Sequence, residues 1–139
     1  MRFSILLAGV IALWPMATLA DDEAVAEAII DYMDFATETA GIIMPAQMDK
    51  DVFEAASFYD VRNADEFATG HIAGAINIDW REIPGRIEEI PEAGLVIFYC
   101  NTGMRSSQAT FAARLMGREN VLVIGGGLQE WDKTAAFKP

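Results

Sequence analysis

Apolar and polar positions follow two different periods along this chain. In residues 22–40, Val25, Ala28, Ile29, Tyr32, Met33 and Ala36 recur at spacings of three and four, while Glu27, Asp31, Asp34 and Glu38 fall largely on another face. That period predicts an amphipathic helix, started by an Asp22 cap and ended by Gly41. "GIIMP" then reads as a short extended piece, and Gly41–Pro45 is the one plausible linker. "AQMDKDVFEA" reads as a brief helix or turn. "ASFYDVR" is β-branched and aromatic, as befits a strand ending near Arg62. Asn63 can cap a short helical turn that Gly70 stops, and "AINI" is a further short strand. "DWREIPGRIEEIPEAG" is a polar, interrupted helical region whose carboxylates form a solvated face. "LVIFYC" is a continuous apolar run, expected to be a central strand buried on both faces. "RSSQATFAARLMG" predicts a helix beginning near Arg105 or Ser106 and stopped by Gly117, with a stripe of Ala109, Ala112, Ala113 and Met116. "NVLVIGGG" is another buried strand, and "LQEWDKTAAF" a closing helical turn with Trp131 as a core plug. Strands alternating with helices predict an α/β fold: a mostly parallel central sheet of about five strands, helices on both faces, and an extra N-terminal helix.

The first twenty residues change the compartment. "MRFSILLAGVIALWPMATLA" has an early charge at Arg2, an apolar stretch, and small residues at Thr18 and Ala20. This is the layout of a secretory signal peptide, so residues 1–20 are expected to be removed and the product to be periplasmic or secreted, with no stable membrane insertion afterwards. A retained anchor is the alternative, but the stretch is short for spanning and Pro15 interrupts it. The expected organisation is a signal peptide at 1–20, a helical extension at 21–41 and a domain at 42–139. The whole chain has a formal charge of −11. That balance argues against nucleic acid or anionic membranes as partners.

Cys100 is the only cysteine. It forms no internal disulfide, so in an oxidising compartment it is buried and inert, paired with another molecule, or chemically used. A lone Cys after an apolar run fits a small buried core side chain. The context "CNTGMRSS" argues for chemistry, because packing alone does not require Gly, Arg and Ser in that order. In open parallel sheets, ligands bind beyond the carboxyl ends of the strands, where Cys100 stands. Gly103 allows the loop to curl back, and the helix that follows points main-chain N–H groups at one spot. Such donors favour thiolate over thiol and would hold a persulfide. Arg105 adds a cationic fork suited to an incoming oxyanion.

Three stretches together resemble the single-domain rhodaneses, the thiosulfate sulfurtransferase-like family. "CNTGMRSSQA" looks like their active-site loop, "YDVRNADEFATGHIAGAINI" like their recognition segment, and "VIGGGLQEW" like their closing strand and turn. The resemblance covers about Ile42 to the C-terminus. It implies an exported sulfurtransferase in which Cys100 takes a sulfane sulfur from thiosulfate or a persulfide donor. A thiol, protein-borne or small, or cyanide then receives it. Asn101, Thr102, Gly103, Met104 and Ser106 would cradle the outer sulfur with main-chain amides, and Arg105 would help bind a donor sulfonate. A non-catalytic partner-binding module is the alternative, and phosphatase or arsenate-reductase chemistry a more distant one. Those related enzymes keep five residues between Cys and Arg, against four here, and the shorter loop suits one sulfur better than a phosphoryl group. Asn101 departs from the basic residue that many members carry after the cysteine.

The remaining candidates have plainer readings. His71 is expected to hold a turn rather than act as a base. Arg62 is expected to pair locally with Asp65 or Glu66, and Asp60 to orient the loop from behind. Trp80, Arg81 and Arg86 could form one wall of the pocket. "GGG" lacks the Lys-Ser/Thr of a P-loop and reads as a tight turn. One Cys and one His supply no metal-ligand set, and no cofactor is expected.

Overall fold

The computed structural model describes residues 22–37 and 39–139. The signal-peptide reading of residues 1–20 lies outside them. Five parallel strands form one sheet: β1 (Ile42–Ile43), β2 (Ala56–Asp60), β3 (Ile76–Asn77), β4 (Leu95–Tyr99) and β5 (Val121–Ile124). Their order is β1-β5-β4-β2-β3, so β4, the strand that ends at Cys100, lies in the middle. Five helices connect or flank them: α1 (Asp22–Phe35), α2 (Lys50–Ala55), α3 (Ala64–Thr69), α4 (Met104–Leu115) and α5 (Gly127–Thr134).

Strand β4 shows why the sheet is covered on both sides. Its side chains alternate between faces, as a period of two requires. Val96, Phe98 and Cys100 join Tyr59, Val61, Ala109, Ala113 and Val121 in one buried cluster. Ile97 and Tyr99 join Met48, Phe58, Ile124 and Trp131 in the other, with Phe53 of α2 and Leu128 of α5 packed against it. Trp131 is the plug expected from the sequence, in ring contact with Phe53 and Phe58 at centroid distances of 6.0 Å.

Several expectations need correction. The N-terminal helix ends at Phe35 and not near Ala40. It is a surface element with no fully buried residue: Ile29, Tyr32 and Ala36 are half-buried, but Val25 and Met33 are exposed. It rests on α4 through an edge-on contact of Tyr32 with Phe111. Gly41–Pro45 is no linker, because Ile42 and Ile43 pair with β5 as the edge strand. The polar 79–94 region is helical and interrupted as expected, in the form of 3-10 turns over Ile83–Glu89 with a kink at Arg86. In α4 the small residues that reach the core are Ala109 and Ala113, joined by Ser106 and Thr110. Ala112 is half-buried and Met116 exposed, because the buried stripe runs along positions three and four apart from Ser106.

Truncating Trp131 to Ala removes the largest side chain between α5 and the sheet. The expected loss is about 3–5 kcal/mol, measured by urea unfolding followed through Trp80.

Candidate active site

The strand β4 delivers Cys100 to the end of the sheet, and the chain turns at once. Gly103 adopts φ +92°, a left-handed conformation that strains residues with a Cβ, and α4 starts at the next residue. Helix α4 therefore begins slightly earlier than expected, with no side chain capping it. The Gly103 carbonyl is instead occupied by the Ser107 N–H at 2.8 Å, the Ser106 hydroxyl at 3.1 Å and the Ser107 hydroxyl at 2.8 Å.

A second helix sets the orientation of the loop. The first turn of α5 donates Leu128 N–H to the Cys100 carbonyl at 2.8 Å and Gln129 N–H to the Asn101 carbonyl at 3.0 Å. A planar trans peptide places its C=O and the next N–H on opposite sides. With the Asn101 carbonyl held outward by α5, the Thr102 N–H is turned inward. The Ser106 hydroxyl, 3.1 Å from the Gly103 carbonyl, also lies 3.5 Å from the Cys100 sulfur, and the Ser106, Thr102 and Gly103 groups around that sulfur favour its anion. Gly127 makes this approach possible. A Cβ there would lie 2.5 Å from the Cys100 carbonyl oxygen and 2.7 Å from the Gly103 nitrogen, and its φ of +62° is itself left-handed.

Cys100 is only 1% exposed. Burial pushes its thiol up, but the hydrogen bonds from Ser106, Thr102 and Gly103 outweigh that and bring it below the ordinary thiol value. The side chain thus belongs to the core cluster, as the plain reading of a lone Cys expects, and is also surrounded by converging donors. The two readings coexist in one residue.

Arg105 is near enough to Cys100 for the charges of the two groups to act on one another. Its two terminal nitrogens, however, donate to both oxygens of Glu66, at 2.7 and 2.8 Å. Glu66 also accepts from the Asn101 side-chain amide at 2.7 Å. The Asn63 cap on the Glu66 N–H, expected from the sequence, fixes the first turn of α3 that carries this carboxylate. The Arg105 fork is the main cause that holds the Glu66 carboxyl down at about 2. The other members of the predicted cradle are placed simply: Asn101 is half-buried, Gly103 and Ser106 are buried, and Thr102 and Met104 are exposed.

The pairing of Arg62 differs from expectation. It binds Asp60, with Nε at 2.9 and 3.0 Å from the two carboxylate oxygens, and neither Asp65 nor Glu66. Its other donors reach the Gly70 carbonyl at 2.6 Å and Asn101 Oδ1 at 3.0 Å. Asp60 thus acts on the loop through Arg62. The sequence offered Glu66 within the "EF" of its motif, but nothing local tied it to a residue 39 positions away. His71 donates from Nδ1 to the Phe67 carbonyl at 2.9 Å and stacks on the Phe67 ring, holding its turn. Trp80 and Arg81 line a groove with Phe111, whereas Arg86 is bound by Glu82 and Glu89 and does not join that wall. Among the described residues no group of three or more His, Cys, Asp or Glu is placed to hold a metal.

A parallel sheet whose central strand ends in a cysteine loop leading straight into a helix is the arrangement of a rhodanese-like domain. The chain belongs to the rhodanese-like domain family, whose model matches residues 44–134. It is 38% identical over 77 residues to the thiosulfate sulfurtransferase PspE of Escherichia coli, covering 54% of this chain and 74% of that one. It is 31% identical over 90 residues to the thiosulfate:glutathione sulfurtransferase of Homo sapiens, covering 55% and 78%. The match to the Bacillus subtilis protein YqhL, 34% identical over 79 residues, spans 63% of that relative's length and 57% of this chain. The human single-domain sulfurtransferase TSTD1 superposes with a TM-score of 0.58 at 27% identity, covering 68% of this chain and 96% of that one.

Two outcomes follow from the loop geometry. The rate of Cys100 alkylation by iodoacetamide is expected to titrate with a midpoint below that of a free thiol, and Ser106→Ala is expected to raise that midpoint by removing one donor. Gly127→Ala is expected to destabilise the fold by at least about 1 kcal/mol, measured by urea unfolding, and to return the thiol midpoint toward the free value.

Proposed function

We propose that this chain is an exported sulfurtransferase that carries a sulfane sulfur on Cys100. The observation that carries the reading is the place of the Cys100 sulfur, buried at the start of α4 and 3.5 Å from the Ser106 hydroxyl, in a loop that favours its anion. The family membership and the sulfurtransferase relatives support it.

In the first half-reaction the Cys100 thiolate attacks the sulfane sulfur of a donor. With thiosulfate, the new Sγ–S bond forms as the donor S–S bond breaks, and sulfite leaves with the bonding pair. The product is the Cys100 persulfide anion. In the second half-reaction an acceptor thiolate attacks the outer sulfur, the persulfide bond breaks, and the Cys100 thiolate is restored. Charge is conserved in both steps, so neither needs a general base, and the plain role of His71 is consistent with that. What both steps need is stabilisation of a sulfur anion, a role this reading gives to the main-chain amides of Asn101 to Ser106. The loop leaves four residues between Cys100 and Arg105, a cradle for one added sulfur.

Export rests on residues 1–20, and its acceptor would be a thiol of that compartment. Among the described residues no helix is long and apolar enough to cross a membrane. Mass spectrometry of the protein recovered from the periplasm would test export, with Asp21 expected at the N-terminus.

The chemical test is direct. Incubating the purified protein with thiosulfate or a low-molecular-weight persulfide is expected to add about 32 Da, one sulfur atom, to Cys100. Cyanide is expected to remove it as thiocyanate. Cys100→Ala should show neither. If no donor loads the wild-type protein, the sulfur-carrier reading is rejected.

A further inference from the structure

The charges around Cys100 bear on which donor reaches it, given the sulfur-carrier reading. Three arginines stand at the loop or beside it, and each already holds a carboxylate. Arg62 binds Asp60, Arg81 binds Asp79 at 2.7 Å, and Arg105 binds Glu66 through both terminal nitrogens. Arg81 and Asp79 are close enough to Arg105 for each to feel its charge. Asn101 adds no cation here: one of its amide N–H groups is given to Glu66 and its oxygen accepts from Arg62.

A sulfonate and a carboxylate are the same kind of partner for a guanidinium: two oxygens matched to two parallel N–H donors. The end-on fork of Arg105, formed by its two terminal nitrogens, is therefore occupied by a ligand from the chain itself. Glu66 stays ionised at neutral pH, because Arg105 holds its carboxyl far below the usual range. A displaced Glu66 would remain an anion beside an incoming dianion, and like charges at contact are unfavourable. The rim is also partly apolar, with Met104 73% exposed at the start of α4.

We propose that Glu66 is a specificity-determining residue: by occupying Arg105 it disfavours oxyanion donors such as thiosulfate and reserves Cys100 for a hydropersulfide donor, R–S–S–H. The sulfane sulfur of such a donor needs no guanidinium. In the transfer, the Cys100 thiolate attacks the terminal sulfur, the Sγ–S bond forms and the donor S–S bond breaks. R–S⁻ leaves with the electron pair. The proton stays on the transferred sulfur and is then lost to water. No oxidant or reductant is consumed.

The test compares two donors on Glu66→Gln and wild type, with thiosulfate and glutathione hydropersulfide as probes and single-turnover loading of Cys100 read by mass spectrometry. In the wild type, kcat/KM for the hydropersulfide is expected to exceed that for thiosulfate by at least tenfold. In Glu66→Gln the thiosulfate-to-hydropersulfide ratio is expected to rise about tenfold, chiefly through a lower KM for thiosulfate. A Glu66 that only braces the loop would lower both rates together and leave the ratio unmoved, which overturns the proposal. So does a wild type that prefers thiosulfate, a measurement that stands even if the variant does not fold. Loading by neither donor, in either protein, rejects the sulfur-carrier reading itself, whereas loading with an unmoved ratio rejects only the role of Glu66.

Discussion

The site depends on where two peptide carbonyls point. Leu128 and Gln129, at the start of α5, hold the Cys100 and Asn101 carbonyls. A peptide plane that commits its oxygen to one side commits the following N–H to the other. The donors that converge on the Cys100 sulfur are thus a consequence of a helix whose own side chains need not touch the reacting atom. The same contacts explain the glycine at position 127, where any Cβ would overlap the loop backbone. They also use the α5 N-terminus economically, because its otherwise unpaired N–H groups find acceptors in the loop.

Around that core runs a chain of charges: Asp60 to Arg62, Arg62 to Asn101, Asn101 to Glu66, and Glu66 to Arg105. The last three links each join separate segments, so the end of β2, α3, the loop and α4 are fixed to one another. Arg62 and Asp60 are buried, and a buried ion pair is strongly unfavourable to break because the remaining charge has no partner. The network therefore gives rigidity at the inner end and a choice at the outer end, where Arg105 is partly exposed and can exchange partners. Rigidity serves the sulfur anion, and the exchange at Arg105 bears on what may approach it.

Cys100 shows how burial and reactivity combine. Desolvation by itself would favour the neutral thiol, and a thiol packed only against Phe98 and Ala109 would be inert. The directed N–H donors reverse that balance. Water is excluded from the sulfur by the same packing, which strengthens each donor's electrostatic effect. An environment of this kind suits a sulfur that must be ionised yet protected until a specific donor arrives.

Local pattern determined a good deal. The continuous apolar run "LVIFYC" marked a buried central strand, the helical pattern after Gly103 marked α4, and the parallel α/β architecture followed from strands alternating with helices. The Asn63 cap and the Trp131 plug were legible for the same reason: each depends on a few neighbouring residues or on a large apolar side chain that must be buried. The N-terminal helix was overextended because its period does not register that the chain leaves the helix after Phe35, with the Ala40 and Ile42 N–H groups closing turns on Thr37 and Thr39. The partners of Arg62, Arg105 and the loop carbonyls were decided only in three dimensions. An arginine fork accepts any carboxylate within reach, so sequence proximity suggested Glu66 for Arg62. The sheet order instead brings α3 against the loop, handing Glu66 to Arg105 and leaving Arg62 to the buried Asp60 two residues before it. Sequence can say which groups are present and which face they occupy. Which donor meets which acceptor across 25 to 40 residues is set by the packing of separate elements, and in this protein that packing determines the charge and direction of the site.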